Sequence, residues 1–209
     1  MIVKGVAQEH RGPRSVLTSN RIEGLADGIF GFAMTLLVVN LIIPRGLPRE
    51  QLASILSGQV SSFYAYALSF LLLGSFWVTH HHQFHYISRS DDMHAWINIL
   101  MLLFVALMPF STSLLANYSG TELSGVLFGG NLVMLGLFMS ANWIYATSRR
   151  RLVRPDVEVE VIAAGVRRSF VTPTVAAIVI VVSLFYPGES SYIYLIIPPL
   201  LFTPCFRRK

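Results

Sequence analysis

Long stretches without a charged side chain constrain this chain more than any other feature. Between successive Asp, Glu, Lys and Arg residues, six uncharged stretches are 17 to 38 residues long. A helix needs about 20 mostly apolar residues to cross the hydrocarbon core of a membrane, with a working range of roughly 17 to 25. Because backbone polar groups find no water in that core, continuous apolar stretches there indicate helices. The six stretches are residues 28–44, 51–88, 93–121, 123–148, 169–188 and 190–206.

The predicted fold class is an all-α membrane protein with six transmembrane helices in a single domain, residues 1–209. Only 13% of the residues are charged, whereas roughly 25% are charged in an average soluble domain. We expect Pro44 to close the first helix, and Pro198 and Pro199 to kink or shorten the sixth. The predicted spans are residues 22–43, 53–78, 96–116, 123–145, 170–186 and 192–206.

The placement of the basic residues predicts the orientation in the membrane. When the loops are assigned alternately to the two sides, fourteen of the sixteen Lys and Arg residues fall on one side, and Arg45 and Arg49 fall on the other. By the positive-inside rule, both termini of this multi-pass cell-membrane protein are cytoplasmic. The same placement argues against a nucleic-acid partner, since the basic residues flank spans instead of gathering on a soluble face.

The first span begins with ionisable residues. Asp27 lies nearly two turns past Arg21, deeper than Glu23, which we interpret as an interfacial charge at a helix N-terminus. Ionisable residues inside a span usually face the bundle interior or a water-filled cavity. We therefore expect Asp27 to belong to a buried polar network and to have a partner on another helix.

A small and polar stripe crosses the rest of the first helix. Gly28, Phe32, Thr35 and Val39 follow each other at steps of four, three and four, so they share one face, with Leu36 at its edge. Such a stripe fits the lining of a pore. The spacing fits two other interpretations equally well, because glycine lets membrane helices pack closely and a threonine often bonds back to its own helix.

The residues around Asp27 also resemble a known signature. The transmembrane protein 175 potassium channel family, in its single-repeat prokaryotic form, has a first-helix signature that reads Arg, three residues, then Phe-Ser-Asp. Segment 21–30 is similar to it and reads RIEGLADGIF, with Leu25 and Ala26 in place of the family's Phe and Ser. The likeness continues to about residue 115 through Tyr66, Ser69, Phe70, Phe76, Trp77, His80, His81, Asn98 and segment 109–112.

The resemblance implies a homotetramer in which the first helix of each subunit lines a central, weakly gated, potassium-selective pore. In that family a hydrophobic constriction lies five, nine and twelve residues after the motif aspartate, at positions that correspond here to Phe32, Leu36 and Val39. A threonine layer linked to selectivity lies eight residues after it, at Thr35. The resemblance also implies a polar network with His80 or His81 as the partner of Asp27. Its expected members are Arg21, Asp27, Trp77, His80, His81 and Asn98.

Three other classes of function compete with a potassium channel. Clustered histidines can bind a metal, but the other spans contribute none, so a metalloenzyme is disfavoured and we expect neither enzymatic activity nor a cofactor. A proton-coupled secondary transporter, in which Asp27 and the histidines relay protons, is the main alternative, and a proton channel is a closer variant. The expected partners are potassium ions, the lipid bilayer and further copies of the chain. The histidines concerned are His80, His81, His82, His85 and His94.

Overall fold

The computed structural model describes residues 18–41 and 48–202, apart from the side chains of Arg49 and Phe202. This part of the chain is almost entirely helical. Helix α1 is continued by a 3-10 turn, Val38–Asn40, and a longer 3-10 helix, Ser190–Ile196, precedes the last helix. The helices are α1 Ser19–Leu37, α2 Leu52–Gly58, α3 Val60–Tyr86, α4 Asp92–Asn117, α5 Glu122–Thr147, α6 Val159–Ser183 and α7 Ile197–Phe202.

Within the described residues, five helical segments are long and apolar enough to cross a membrane, namely Ser19–Asn40, Val60–Tyr86, Asp92–Asn117, Glu122–Arg150 and Val159–Ser183. The predicted sixth span is described only in part, and that part is too short for a full crossing. Its described part is the 3-10 helix followed by α7, which together extend over about 23 Å at the usual rises per residue, less than the ~30 Å hydrocarbon core. Pro198 and Pro199 lie inside α7 and supply no backbone donors for a longer helix. Residues 203–206 lie outside the described part.

Two other predicted spans differ from the structure in their boundaries. The second span is broken at Gly58 and Gln59, so that its membrane helix begins at Val60 and runs on to Tyr86. The fifth begins at Val159, well before the predicted residue 170, because a helix continues through charged residues that an apolar-run criterion excludes. The predicted end of the first span, residues 42–44, lies outside the described residues.

The bundle is organised around α4 and α5. Helix α5 packs along both α4 and α6, whereas α1 packs against α4 and α3. Helix α1 buries one face in the core at steps of four, four, three and four residues, which is the helical period. The buried residues of this face are Ile22, Ala26, Phe30, Ala33 and Leu37.

Two loops fasten the end of the bundle at which α3 and α5 finish. Ile87 and Val153 form an isolated antiparallel bridge. The backbone N–H of Ser88 donates to the carbonyl of Leu152 over 2.9 Å, and that of Arg154 donates to the carbonyl of Tyr86 over 3.1 Å. The two loops thereby satisfy each other's backbone groups and hold the ends of α3 to α6 in register.

Candidate functional site

The face of α1 opposite the core is left uncovered within the subunit. Phe32 is 65% exposed and Val39 is 63% exposed. Gly28 and Thr35 are exposed on the same strip, and Leu36 is half-buried at its edge. A Cβ atom placed on Gly24, Gly28 or Gly31 would meet nothing within 4 Å. The predicted stripe is therefore a continuous surface of small, polar and apolar side chains, which we call the open strip (Gly28, Phe32, Thr35, Leu36 and Val39).

Thr35 makes a hydrogen bond within its own helix. Its Oγ1 hydroxyl donates to the carbonyl oxygen of Phe32 over 2.7 Å. Because the hydroxyl proton is directed along the helix, the oxygen lone pairs of this exposed side chain remain available to accept a further donor or a cation. Thr35 can therefore bond to its own helix and still present its hydroxyl oxygen to an ion.

Two polar contacts join the beginning of α1 to α3. The Nε1–H of Trp77 donates to Oδ1 of Asp27 over 2.8 Å, and Nδ1 of His81 lies 3.2 Å from Oε1 of Glu23. Within each helix the two residues are four positions apart, so the contacts form successive rungs between antiparallel helices. The rings of Trp77 and His81 stack with centroids 6.0 Å apart, which aligns the two rungs.

The partners in these rungs differ from those expected. Asp27 is bonded to Trp77, and neither His80 nor His81 occupies that place. Its side chain is exposed in the single subunit. Arg21 is also exposed, and in residues 18–41 and 48–202 it makes no side-chain hydrogen bond or ion pair. The offset between α1 and α3 explains the difference, because it brings Glu23 opposite His81 and leaves Arg21 beyond the last rung.

A second, buried set of polar side chains lies behind α1. Nε2 of His80 is 3.1 Å from Oδ1 of Asn98, and since an amide oxygen can only accept, His80 is the donor. The amide nitrogen of Asn98 donates to Oδ1 of Asn142 over 2.7 Å, and the amide nitrogen of Asn142 donates to Oε1 of Gln83 over 2.9 Å. Gln83 in turn donates to the carbonyl of Met139 over 3.3 Å.

This buried network fixes the helices that support α1. His80, Asn98 and Asn142 are at most 1% exposed. Because water does not reach these side chains, their polar atoms depend on hydrogen bonds to one another. The imidazole of His80 also lies against the ring of Phe30 on the buried face of α1, with centroids 6.1 Å apart. The network therefore forms a rigid polar support behind the helix that carries the open strip.

Sequence reasoning missed three of the residues that complete these contacts. Gln83 and Asn142 join the buried network, and Glu23 forms a rung. A polar amide inside an apolar stretch was the available signal for Gln83 and Asn142, because such groups in membrane helices usually bond across to a neighbouring helix. Glu23 could not be assigned from its position alone, since the helix dipole explains a carboxylate there equally well.

The histidine cluster is divided between these structures. His80 belongs to the buried network and His81 to a rung, while His82 and His85 are exposed. Nδ1 of His94 lies 2.8 Å from Oγ of Ser90. Across the part of the chain that the structure describes, no group of three or more His, Cys, Asp or Glu side chains is placed to hold a metal ion.

Five membrane-length helices around a buried polar network define a multi-helix integral membrane protein. Comparison with known sequences identifies its family. The chain belongs to the TMEM175 family: the family's sequence model, described as endosomal/lysosomal potassium channel TMEM175, matches residues 21–109, and a potassium channel of Streptomyces collinus is 33% identical over 144 residues, 67% of this chain and 70% of that protein.

Two further comparisons agree with this assignment. A potassium channel of Chamaesiphon minutus is 31% identical over 140 residues, 65% of this chain and 69% of that protein. The crystal structure of a lysosomal potassium-selective channel TMEM175 homolog from Chamaesiphon minutus superposes with a TM-score of 0.77 at 24% identity, covering 88% of this chain and 95% of that chain. The fold described above is the fold of that channel.

Proposed function

We propose that this chain is the subunit of a homotetrameric potassium channel of the cell membrane, with α1 of each subunit lining the pore. Family membership and the bacterial relatives named potassium channels support the ion. The open strip is the observation that most supports a pore, because the helix with the family signature leaves Gly28, Phe32 and Thr35 exposed within the subunit.

The composition of the open strip supports the proposal that it faces other copies of the chain around an axis and does not face lipid. Lipid-facing surfaces of membrane helices are mainly large and apolar, whereas small residues mark the places where helices approach each other closely. Four copies of α1 around an axis would bring Phe32, Leu36 and Val39 together in apolar rings. A narrow apolar ring expels water and blocks ions without a charged barrier.

Potassium flux out of liposomes that contain the purified chain tests this function. With an outward potassium gradient, we expect a potassium current that exceeds the sodium current and needs no coupled ion, while a pH dye in a parallel sample reports proton movement. Liposomes without protein provide the baseline. A saturable flux that depends on a proton gradient would identify a secondary transporter, and proton flux without potassium flux would identify a proton channel.

Removing the Thr35 hydroxyl is expected to reduce selectivity. Four hydroxyls in a ring can replace part of the hydration shell of a cation where the wall is otherwise apolar. Thr35→Val keeps the shape and removes the oxygen, so the ratio of potassium to sodium permeability, measured from reversal potentials, should fall while conduction persists. Thr174→Val, at an exposed position on α6, is the matched control and should leave the ratio unchanged. An unchanged ratio in Thr35→Val would limit this hydroxyl to its bond with Phe32.

Loss of the Asp27 carboxylate is expected to impair assembly before it alters ion preference. Asp27→Ala removes the carboxylate that accepts from the indole N–H of Trp77, so it should weaken the connection between α1 and α3. Asp27→Asn keeps an oxygen acceptor and removes the charge, so it should retain more tetramer. Size-exclusion chromatography measures the tetramer, and reversal potentials measure the preference. Normal tetramers of Asp27→Ala with a changed preference would place Asp27 in the pore.

The segment 149–168 is proposed to face the cytoplasm, because the basic residues are so unequally divided between the two sides. In a Cys205→Ser background, we expect a membrane-impermeant maleimide to label Tyr118→Cys in intact cells and Arg167→Cys only after permeabilisation. Both positions are exposed. They lie in the α4–α5 loop and near the beginning of α6. The reverse pattern of labelling would invert the proposed topology.

A further inference from the structure

A polar cavity of about 400 Å³, partly open to the surface, lies at the end of the bundle where α1 and α4 finish and α3 begins. Its lining includes Asn40 after α1, Ser61 and Ser62 on α3, and Ser113 and Asn117 on α4. Among the described residues that line it, no side chain carries a charge. The cavity is distinct from the open strip, since Asn40 turns away from that strip and reaches α4.

Several donors around the cavity are already bonded to carbonyls of the same subunit. The amide nitrogen of Asn40 donates to the carbonyl of Pro109 over 3.2 Å, and that of Asn117 donates to the carbonyl of Ser113 over 2.8 Å. The hydroxyl of Ser61 donates to the carbonyl of Ala116 over 3.3 Å. All three donors are thus spent on carbonyls in the last turns of α4. The amide oxygens of Asn40 and Asn117 and the hydroxyl lone pairs remain available to accept, and they outnumber the remaining amide donor, the second N–H of Asn40. Gln59 contributes a further amide side chain to the lining.

The helix ends favour positive charge in the same place. Both α1 with its 3-10 turn and α4 end beside the cavity, and the carboxyl end of a helix carries a partial negative charge. The beginning of α3 contributes a partial positive charge, so one of the two negative ends remains uncompensated. An excess of acceptor oxygens together with a negative partial charge selects a cation over an anion.

The neutral lining narrows the choice of cation. Protein sites for calcium and magnesium draw on carboxylates, and none lines this cavity among the described residues. Amide and hydroxyl oxygens without a formal charge suit a monovalent alkali cation, which has less hydration energy to replace. We propose that the cavity binds a potassium ion through Asn40, Asn117 and Ser62, behind the end of the pore-lining helix.

A bound cation here would connect the end of α1 to α4. Asn40 follows Val39 of the open strip directly, and its side chain already bonds to Pro109 on α4. A cation shared by Asn40 and Asn117 adds a second connection between the same two helices. The identity of the ion as potassium rests on the proposed function, whereas the preference for a monovalent cation rests on the oxygens alone.

Anomalous diffraction with rubidium in place of potassium tests the site. In crystals of the full chain grown in rubidium chloride, we expect an anomalous peak inside the cavity. Asn117→Leu removes one amide oxygen and should lose the peak. Ser62→Ala removes a hydroxyl that makes no hydrogen bond to residues 18–41 or 48–202. It should therefore weaken the peak even if Asn117→Leu fails to fold. Ser57→Ala, at an exposed position on α2, is the control and should keep the peak.

The outcomes separate this inference from the proposed function. Rubidium peaks along the tetramer axis with none in the cavity would overturn the inference and leave the channel intact. A peak that survives both Asn117→Leu and Ser62→Ala would overturn the assignment of ligands. A cavity peak in a protein that conducts no potassium in liposomes would support the site and contradict the channel.

Discussion

Phe32→Ala is expected to increase potassium flux per channel several-fold, and Phe32→Asn to increase it further. Phe32 is the bulkiest member of the open strip and is 65% exposed within the subunit, so four copies around an axis would make the tightest apolar ring. Alanine widens that ring, and asparagine also wets it, which removes the barrier that a dry constriction presents to an ion. Liposome flux normalised to the amount of tetramer measures the effect.

Phe30 supplies the matched control for this experiment. It lies two residues earlier on the same helix but is 1% exposed and packs in the core. Phe30→Ala should therefore destabilise the subunit by roughly 3 to 5 kcal/mol through the cavity that it leaves, without raising the flux of the channels that survive. If Phe32→Ala behaves like Phe30→Ala, losing tetramer with no rise in flux, then Phe32 packs between subunits and Leu36 becomes the candidate for the constriction.

The membrane helices could be predicted from the sequence to the extent that apolar length defines them. Five predicted spans correspond to helices of membrane length, but α6 begins at Val159, where charged residues had indicated a loop. A charged residue near a helix end costs little free energy when its side chain reaches the membrane interface. The length of an apolar run therefore underestimates the length of the helix. For the sixth predicted span, residues 192–206, the described part is a 3-10 segment followed by a six-residue helix with two prolines, and this part is shorter than the hydrocarbon core.

The candidate site was predictable within one helix and much less so between helices. The period of 3.6 residues places Phe32, Thr35 and Val39 on one face of α1 without any knowledge of its neighbours. Which side chain lies opposite Asp27 depends on the axial offset between α1 and α3, and a shift of one turn exchanges Trp77 for His81. Local spacing contains no information on that offset, because packing along the whole length of both helices determines it.

Gly165→Ala is expected to destabilise the subunit by about 3 kcal/mol, although it adds only a methyl group. Helix α6 crosses α5 so closely at this point that a Cβ atom on Gly165 would contact Nε1 of Trp143 and lie 2.5 Å from its Cε2 atom. The indole cannot move aside freely, since it is 2% exposed and its N–H donates to the carbonyl of Ile162 over 3.1 Å. Thermal unfolding of the purified protein, followed by the loss of its monodisperse peak in size-exclusion chromatography, measures the change.

Gly130→Ala separates this steric effect from the general consequence of replacing a helical glycine. A Cβ atom on Gly130, in α5, would meet nothing within 4 Å, and alanine favours a helix over glycine by about 1 kcal/mol, so this variant should match or exceed the native stability. Trp143→Phe removes the atoms that the new methyl group would contact. Combined with Gly165→Ala, it should therefore cost less than the sum of the two single changes, as expected for residues in direct contact. Additive losses in the double variant would show that Gly165 is required for a reason other than its approach to Trp143.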